Sequence, residues 1–155
     1  MSALRIGLLG CGRIGRVHAD SVTVHPRAEL ARVFDPFEAA ATEVAAQFGS
    51  TWTTEADAIL DDPSIDAVIV ASPTPTHVDL LTRALRAGKA VLCEKPIDLD
   101  LARVDACRAE IGELDEHLLG AGIGGDLQIP DLERLIRADE DGGLHVDGVH
   151  GADPL

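Results

Sequence analysis

The chain has 155 residues and a mass of 16.3 kDa, the size of one domain that buries roughly 70% of its unfolded surface and needs neither disulfides nor a structural metal to fold. Hydrophobic residues at 46% and charged residues at 26% exclude a disordered tail, a collagen and a disulfide scaffold. Thirteen Lys+Arg against 27 Asp+Glu give a net charge of −14, which repels phosphate backbones and anionic lipid, so neither nucleic acid nor a membrane surface is an expected partner.

Residues 4–9 form a short, nearly continuous apolar run that ends at glycines, the pattern of a strand covered on both faces in a parallel sheet. Residues 29–34, 67–71 and 90–93 read the same way, and 51–53 is a weaker third strand in chain order. Helix-length segments at 13–24, 36–48, 55–60 and 76–87 lie between them. Asp79, Leu80, Leu81, Ala84 and Leu85 give the last of these its helical spacing, and Gly88 gives it a stop. Strand and helix in alternation predict an α/β fold: a Rossmann-type, doubly wound parallel sheet of order 3-2-1-4-5.

A further helix is expected over 98–114, with Asp98 as N-cap and a buried stripe of Leu101, Val104, Cys107 and Ile111. Residues 1–97 carry 9 basic and 12 acidic residues, whereas 98–155 carry 4 and 15, and nine of the 15 glycines lie from Gly112 onward. The expected organisation is a single cofactor domain over 1–115 followed by an acidic, glycine-rich tail over 116–155. Within that tail, 127–138 reads as an amphipathic helix started by Pro130 and Asp131.

Cys11, Cys93 and Cys107 form no CxxC pair and are odd in number, as in a reducing compartment. All three are expected to be free thiols. No basic leader precedes an apolar segment, and the longest apolar stretches fall far below the ~20 residues of a bilayer span, so the expected location is the cytoplasm.

Gly10-Cys11-Gly12-Arg13-Ile14-Gly15 is a GxGxxG sequence that follows the first strand and opens a helix, the context in which the pattern binds a dinucleotide. Gly10 permits the tight turn, Gly12 lets the backbone approach a pyrophosphate, Gly15 lets helix and sheet pack closely, and free N–H groups at Arg13 and Ile14 face the phosphates. Arg13 either reaches a phosphate oxygen or lies on a solvated helix face. His18 reads as a packed or capping histidine, and Cys11 as a packing residue without a nearby base. Asp35, 20 residues past Gly15 at the end of the second strand, is placed to accept from an adenosine ribose 2′-hydroxyl. That selects NAD over NADP, because a carboxylate about 4 Å from a 2′-phosphate costs several kcal/mol even at an effective dielectric of ~20.

In a sheet of this order the crevice opens between the first and fourth strands, so the segment after the fourth strand lines it. There Ser72, Thr74 and His77 offer donors and acceptors toward the cofactor, and the same segment equally caps the following helix. At the end of the fifth strand, Glu94 and Lys95 point to opposite faces, so only one enters the crevice. Lys95 is one of only two lysines in the chain. It is either a surface residue ending a strand or a group that deprotonates a substrate hydroxyl beside the nicotinamide.

Residues 4–115 resemble the nucleotide-binding domain of the Gfo/Idh/MocA oxidoreductases. The resemblance rests on Gly10 to Gly15 with His18 following, the run from Ala71 to His77, Gly88-Lys89 and Glu94-Lys95-Pro96. Around Cys93 to Cys107, with Pro96-Ile97-Asp98-Leu99-Asp100-Leu101-Ala102 at the centre, the sequence is most similar to the inositol 2-dehydrogenases of that family. The resemblance implies NAD-dependent oxidation of a cyclic polyol or sugar hydroxyl to a ketone, Lys95 as the catalytic lysine, and a cis peptide before Pro96. It also implies a second, substrate-binding domain and an oligomer interface, neither of which is legible after about Asp115. Gly142-Gly143, Asp147 and His150 echo the family's GG-x-x-x-D-x-x-x-H pattern, with the histidine one residue early. The expectation is the cofactor-binding half of such an enzyme, with self-association left open. Two other readings stand beside it: a non-catalytic NAD(H)-binding module, and a truncated inactive relic.

Overall fold

Leu4–Leu9 (β1) lies at the centre of a five-stranded sheet because it is apolar on both faces: Ile6, Leu8 and Leu9 are all buried. A computed structural model of the protein describes residues 3–120, with side chains described through residue 112. On one side β1 pairs with Ala28–Phe34 (β2) and on the other with Ala67–Val70 (β4), all parallel. Thr51–Thr53 (β3) adds to β2, and Ala90–Cys93 (β5) adds to β4. The order is β3-β2-β1-β4-β5, as the strand and helix alternation predicts. The register of β1 against β2 slips by one residue between Ile6 and Gly7. There Gly7 leaves room for Ile59, whose Cγ2 lies 2.4 Å from where a β-carbon would stand.

The connecting helices are Arg13–Val24 (α1), Glu38–Phe48 (α2), the single turn Asp57–Leu60 (α3), His77–Arg86 (α4) and Leu101–Gly120 (α5). All but α1 begin later than their sequence expectation, and for α2, α4 and α5 a local reason is visible. Asp35 Oδ1 accepts from the Phe37 amide, holding the chain in a turn before α2. Pro73 and Pro75 impose a 3-10 turn over Thr74–Thr76 before α4. Asp98 is not the cap of α5: its Oδ1 accepts from the Asp100 amide, and Asp100 Oδ1 accepts from the Ala102 amide at the helix start.

The expected stripe of α5 is half right. Cys107 is buried against Thr82 of α4, but Leu101 is 78% exposed and Ile111 37% exposed, so α5 touches the domain along a narrower line than its sequence suggests. The helix also runs on through the Gly112 to Glu116 stretch where the composition changes. The core lies on both faces of the sheet, with Leu9, Ile59, Leu60, Ile65, Val68, Val70, Leu80 and Ala84 forming one continuous cluster. The three cysteines are free. Among the described residues no helix is long and apolar enough to cross a membrane. The helix expected over 127–138, and Asp147 and His150, lie outside the described residues.

Candidate cofactor site

The carboxyl edge of the sheet is built one residue beyond each strand. The Gly10 amide donates to Phe34 O, Asp35 N to Thr53 O, Ala71 N to Leu9 O and Glu94 N to Val70 O, at 2.8 to 3.3 Å. The ladder thus carries Gly10, Asp35, Ala71 and Glu94 to one edge, where the sequence places the site.

The glycines of the loop serve separable purposes. Gly10 has φ +111°, and a β-carbon there would lie 2.6 Å from the Ser72 amide nitrogen, so both conformation and the approach of the β4 exit require glycine. At Gly15 a β-carbon would stand 2.0 Å from Gly10 O, which is the close helix-to-turn packing expected of that position. Gly12 is different: nothing in the protein lies within 4 Å of the corresponding point, and its backbone is ordinary. Gly12 is also the N-cap of α1 and brings no side-chain cap, so the first amides of the helix are left for an outside acceptor. An open space over a glycine, at a helix start with uncapped N–H groups, fits a pyrophosphate. Arg13 stands exposed on that first turn and Ile14 is half-buried beneath it.

Asp35 stands beside the glycine loop. Its Oδ2 accepts from the Cys11 amide at 2.9 Å and its Oδ1 from the Phe37 amide at 2.9 Å, which fixes the carboxylate against the glycine loop. Each oxygen keeps a lone pair for a ribose hydroxyl. Cys11 is buried, its Sγ donates to Phe34 O at 3.5 Å, and burial, with Asp35 adding to it, pushes the thiol up to about 12. It is a packing residue, as its sequence surroundings suggest.

The β4–α4 segment behaves differently from expectation. Ser72 Oγ and Thr76 Oγ1 are 2.6 Å apart, and Thr76 Oγ1 donates to Pro73 O. Thr74 is half-buried in the 3-10 turn, while His77 turns away from the crevice into the protein. Its ring is 2% exposed, with Nδ1 2.9 Å from Pro96 O and Nε2 2.7 Å from Ser72 O. Both nitrogens are thereby engaged, so His77 offers none to a cofactor.

At the end of β5, Glu94 is half-buried and Lys95 exposed, and the Lys95–Pro96 peptide is cis, as the family resemblance implies. The Lys95 amide donates to Glu94 Oε2 at 3.3 Å. Among the described residues its Nζ has no hydrogen-bond or ion-pair partner. Glu94 Oε1 meets His18 Nε2 at 2.6 Å. Sequence reading did not find this pair, because 76 residues separate its members. The available signal was helical spacing, since Gly15, His18, Ala19 and Val22 form the buried face of α1 and point His18 at the sheet.

The sequence profile of the Gfo/Idh/MocA oxidoreductases, an oxidoreductase family with an NAD-binding Rossmann fold, matches residues 4–117. The inositol 2-dehydrogenase of Rhizobium meliloti (strain 1021) is 48% identical over 116 residues, which are 75% of this chain and 35% of that protein. The crystal structure of a myo-inositol dehydrogenase from Corynebacterium glutamicum superposes with a TM-score of 0.69 at 45% identity, covering 72% of this chain and 34% of that one. The scyllo-inositol dehydrogenase from Lactobacillus casei with bound NAD(H) and scyllo-inositol superposes with a TM-score of 0.68 at 28% identity, covering 74% and 34%. The chain spans about a third of the length of these relatives. A glycine loop fitted to a pyrophosphate, an acidic residue fixed beside it and a profile covering almost all the described residues lead to one assignment: the chain belongs to the Gfo/Idh/MocA oxidoreductase family and carries its NAD-binding Rossmann domain.

Proposed function

We propose that the chain serves an NAD-dependent oxidation of the inositol 2-dehydrogenase type, converting a secondary hydroxyl of a cyclic polyol or sugar to a ketone, and that the described residues supply its cofactor-binding half. The observation that carries this reading is the convergence of the Gly12 cradle, the Asp35 carboxylate and the Glu94-Lys95 pair on one edge of the sheet. The amides of Gly12, Arg13 and Ile14 hold the pyrophosphate, with the Arg13 guanidinium at its rim, and Gly10 and Gly15 keep those amides in place. Asp35 accepts from the adenosine ribose. Ser72 and Thr74 line the middle of the crevice. Glu94, held by His18, sets the backbone from which Lys95 reaches the reacting end.

When bound, NAD supplies the nicotinamide that accepts a hydride from the carbinol carbon. Lys95 Nζ takes the proton of the hydroxyl as the carbon–oxygen double bond forms. The hydroxyl proton thus goes to Lys95 Nζ, and the hydride is the part that bound cofactor would take up, so the two-electron oxidation balances. The 48% identity to an inositol 2-dehydrogenase supports a polyol rather than an acyclic hydroxy acid as the substrate class.

Calorimetric titration of the chain with NAD+, NADH and NADP+, beside an Asp35→Ala variant, tests the cofactor reading. Micromolar binding that prefers NAD and weakens in the variant is expected. No binding at millimolar cofactor overturns it. NADH formation from myo-inositol, absent in Lys95→Ala, tests the reaction, whereas tight binding with no turnover marks a non-catalytic NAD(H)-binding module.

A further inference from the structure

His77 is one of the most deeply buried side chains of the domain, and both of its ring nitrogens face acceptors that cannot donate. Nδ1 lies 2.9 Å from the carbonyl oxygen of Pro96 and Nε2 lies 2.7 Å from that of Ser72. A neutral imidazole has one N–H and one lone pair, so in either tautomer one nitrogen would aim its lone pair at a carbonyl oxygen at hydrogen-bond distance. In a buried setting that contact is repulsive and leaves the carbonyl without its donor. Only the imidazolium donates to both oxygens.

The surroundings supply a counter-charge. Asp98 follows Pro96 by two residues, its side chain is 8% exposed, and its carboxyl is held below the usual range. The Asp100 amide is the largest cause, with Arg103, the Leu99 amide and the charge of His77 adding to it. Arg103 of α5 pairs with Asp98 at 3.2 Å. From the β4 side His77 meets only the neutral Ser72 carbonyl, and on its own helix Asp79 and Arg83 pair with each other at the exposed face. Among the described residues Asp98, itself paired with Arg103, is thus the charged group that interacts with His77.

We infer that His77 is a proton-dependent clasp and the positioning residue for Lys95: as an imidazolium it ties the exit of β4 at Ser72 to Pro96, and losing the proton opens one of the two bonds. The clasp joins the strand exit that touches Gly10 to the residue after Lys95, so its state sets where Lys95 stands relative to the glycine loop. The use made of Lys95 rests on the proposed reaction. The clasp itself does not.

The test is nuclear magnetic resonance on the cofactor-free, 15N- and 13C-labelled chain, titrated in pH over the range in which the domain stays folded. The two ring nitrogens of His77 are followed together with the amides of Lys95, Ile97 and Thr74. The expected result is a His77 ring protonated at both nitrogens on the acid side, with those three amides shifting at the same midpoint as the ring. The carboxyl of Asp98, held below the usual carboxylate range, is followed separately through its own side-chain carbon. In His77→Gln, which cannot titrate, the amide transitions should disappear while the rest of the amide spectrum keeps its folded dispersion. Amides that do not move with the ring, or a ring never protonated at both nitrogens, overturn the clasp. Transitions that persist in His77→Gln overturn it as well. If that variant does not fold, the wild-type titration decides alone. A catalytically silent Lys95→Ala variant with the coupling intact would sink only the idea that the clasp serves catalysis, and a lysine essential for turnover without the coupling would sink only the clasp.

Discussion

His18 Nε2 sits 2.6 Å from Glu94 Oε1, so the helix that starts at the glycine loop is tied directly to the residue before Lys95. The imidazole is buried and its Nδ1 has no partner, which leaves the bond to Glu94 as its anchor. In His18→Leu the half-buried carboxylate loses its donor, and the expected cost is roughly 1–3 kcal/mol, read as a lower denaturation midpoint. Glu94→Gln keeps an acceptor for the Nε2 hydrogen and should cost less than half of that. Equal losses in the two variants would mean that the pair contributes through packing rather than through this bond.

Gly12 and Gly15 should separate binding from folding. Gly12→Ala adds a methyl into open space at an ordinary backbone conformation, so its thermal midpoint without cofactor should stay within about 2 °C of the parent, the order set by a few tenths of a kcal/mol. Its NAD affinity should fall at least tenfold, about 1.4 kcal/mol, because the methyl occupies the phosphate's place. Gly15→Ala would put a methyl 2.0 Å from Gly10 O and should damage the fold whether or not cofactor is present. Thermal melts of both variants with and without NAD decide the matter.

Asp35 holds two amides and is proposed to receive the ribose. Asp35→Ala removes a charged acceptor, so NAD binding should weaken by roughly 10- to 100-fold, the equivalent of about 1.5–3 kcal/mol. The preference over NADP+ should narrow, because the repulsive carboxylate is gone. Calorimetry with both cofactors gives the ratio directly. An unchanged ratio would remove Asp35 from the specificity argument.

Alkaline pH should destabilise the domain through two thiols. Burial pushes Cys11 up from 9.0 to about 12 and Cys93 from 9.0 to about 11. Above the ordinary thiol range the unfolded chain releases protons that the folded chain retains, so the unfolded state binds fewer protons and stability falls as pH rises. Denaturant unfolding should therefore show midpoints declining from near pH 9 upward. Cys11→Ala should make the decline shallower. A decline of the same slope in that variant would assign it to other groups.

The sheet order and the site edge were legible because their signals are local. The run from Leu4 to Leu9 and its glycines place β1, and Thr51 to Thr53 is found as a strand despite its weak apolarity. Helix starts were less legible, since they depend on which of several acidic or proline residues caps: Asp100 rather than Asp98 opens α5, and the prolines beside Thr74 delay α4. The exposure of Leu101 and Ile111 has a tertiary cause, because helical spacing gives a face but not the width of the surface that covers it. Side-chain direction at His77 was beyond reach for the same reason: a donor after β4 reads alike whether it points into the crevice or back toward Pro96, and only the position of the β5 exit decides.

The chain has two lysines, and they live in opposite surroundings. Lys89 is buried, its Nζ donates to Asp62 O and Ile65 O, and burial draws its amine down from 10.5. With that amine sequestered behind two carbonyls, Lys95 is the one side-chain amine of the native protein open to an acylating or alkylating reagent. Nature has in effect left a single accessible lysine on this domain, at the position proposed for proton transfer. Reductive methylation with isotopic formaldehyde would therefore install one side-chain reporter on the native fold without mutation, alongside the label on the α-amine, and a labelled Lys89 would announce that the turn around Asp62 and Ile65 had come undone.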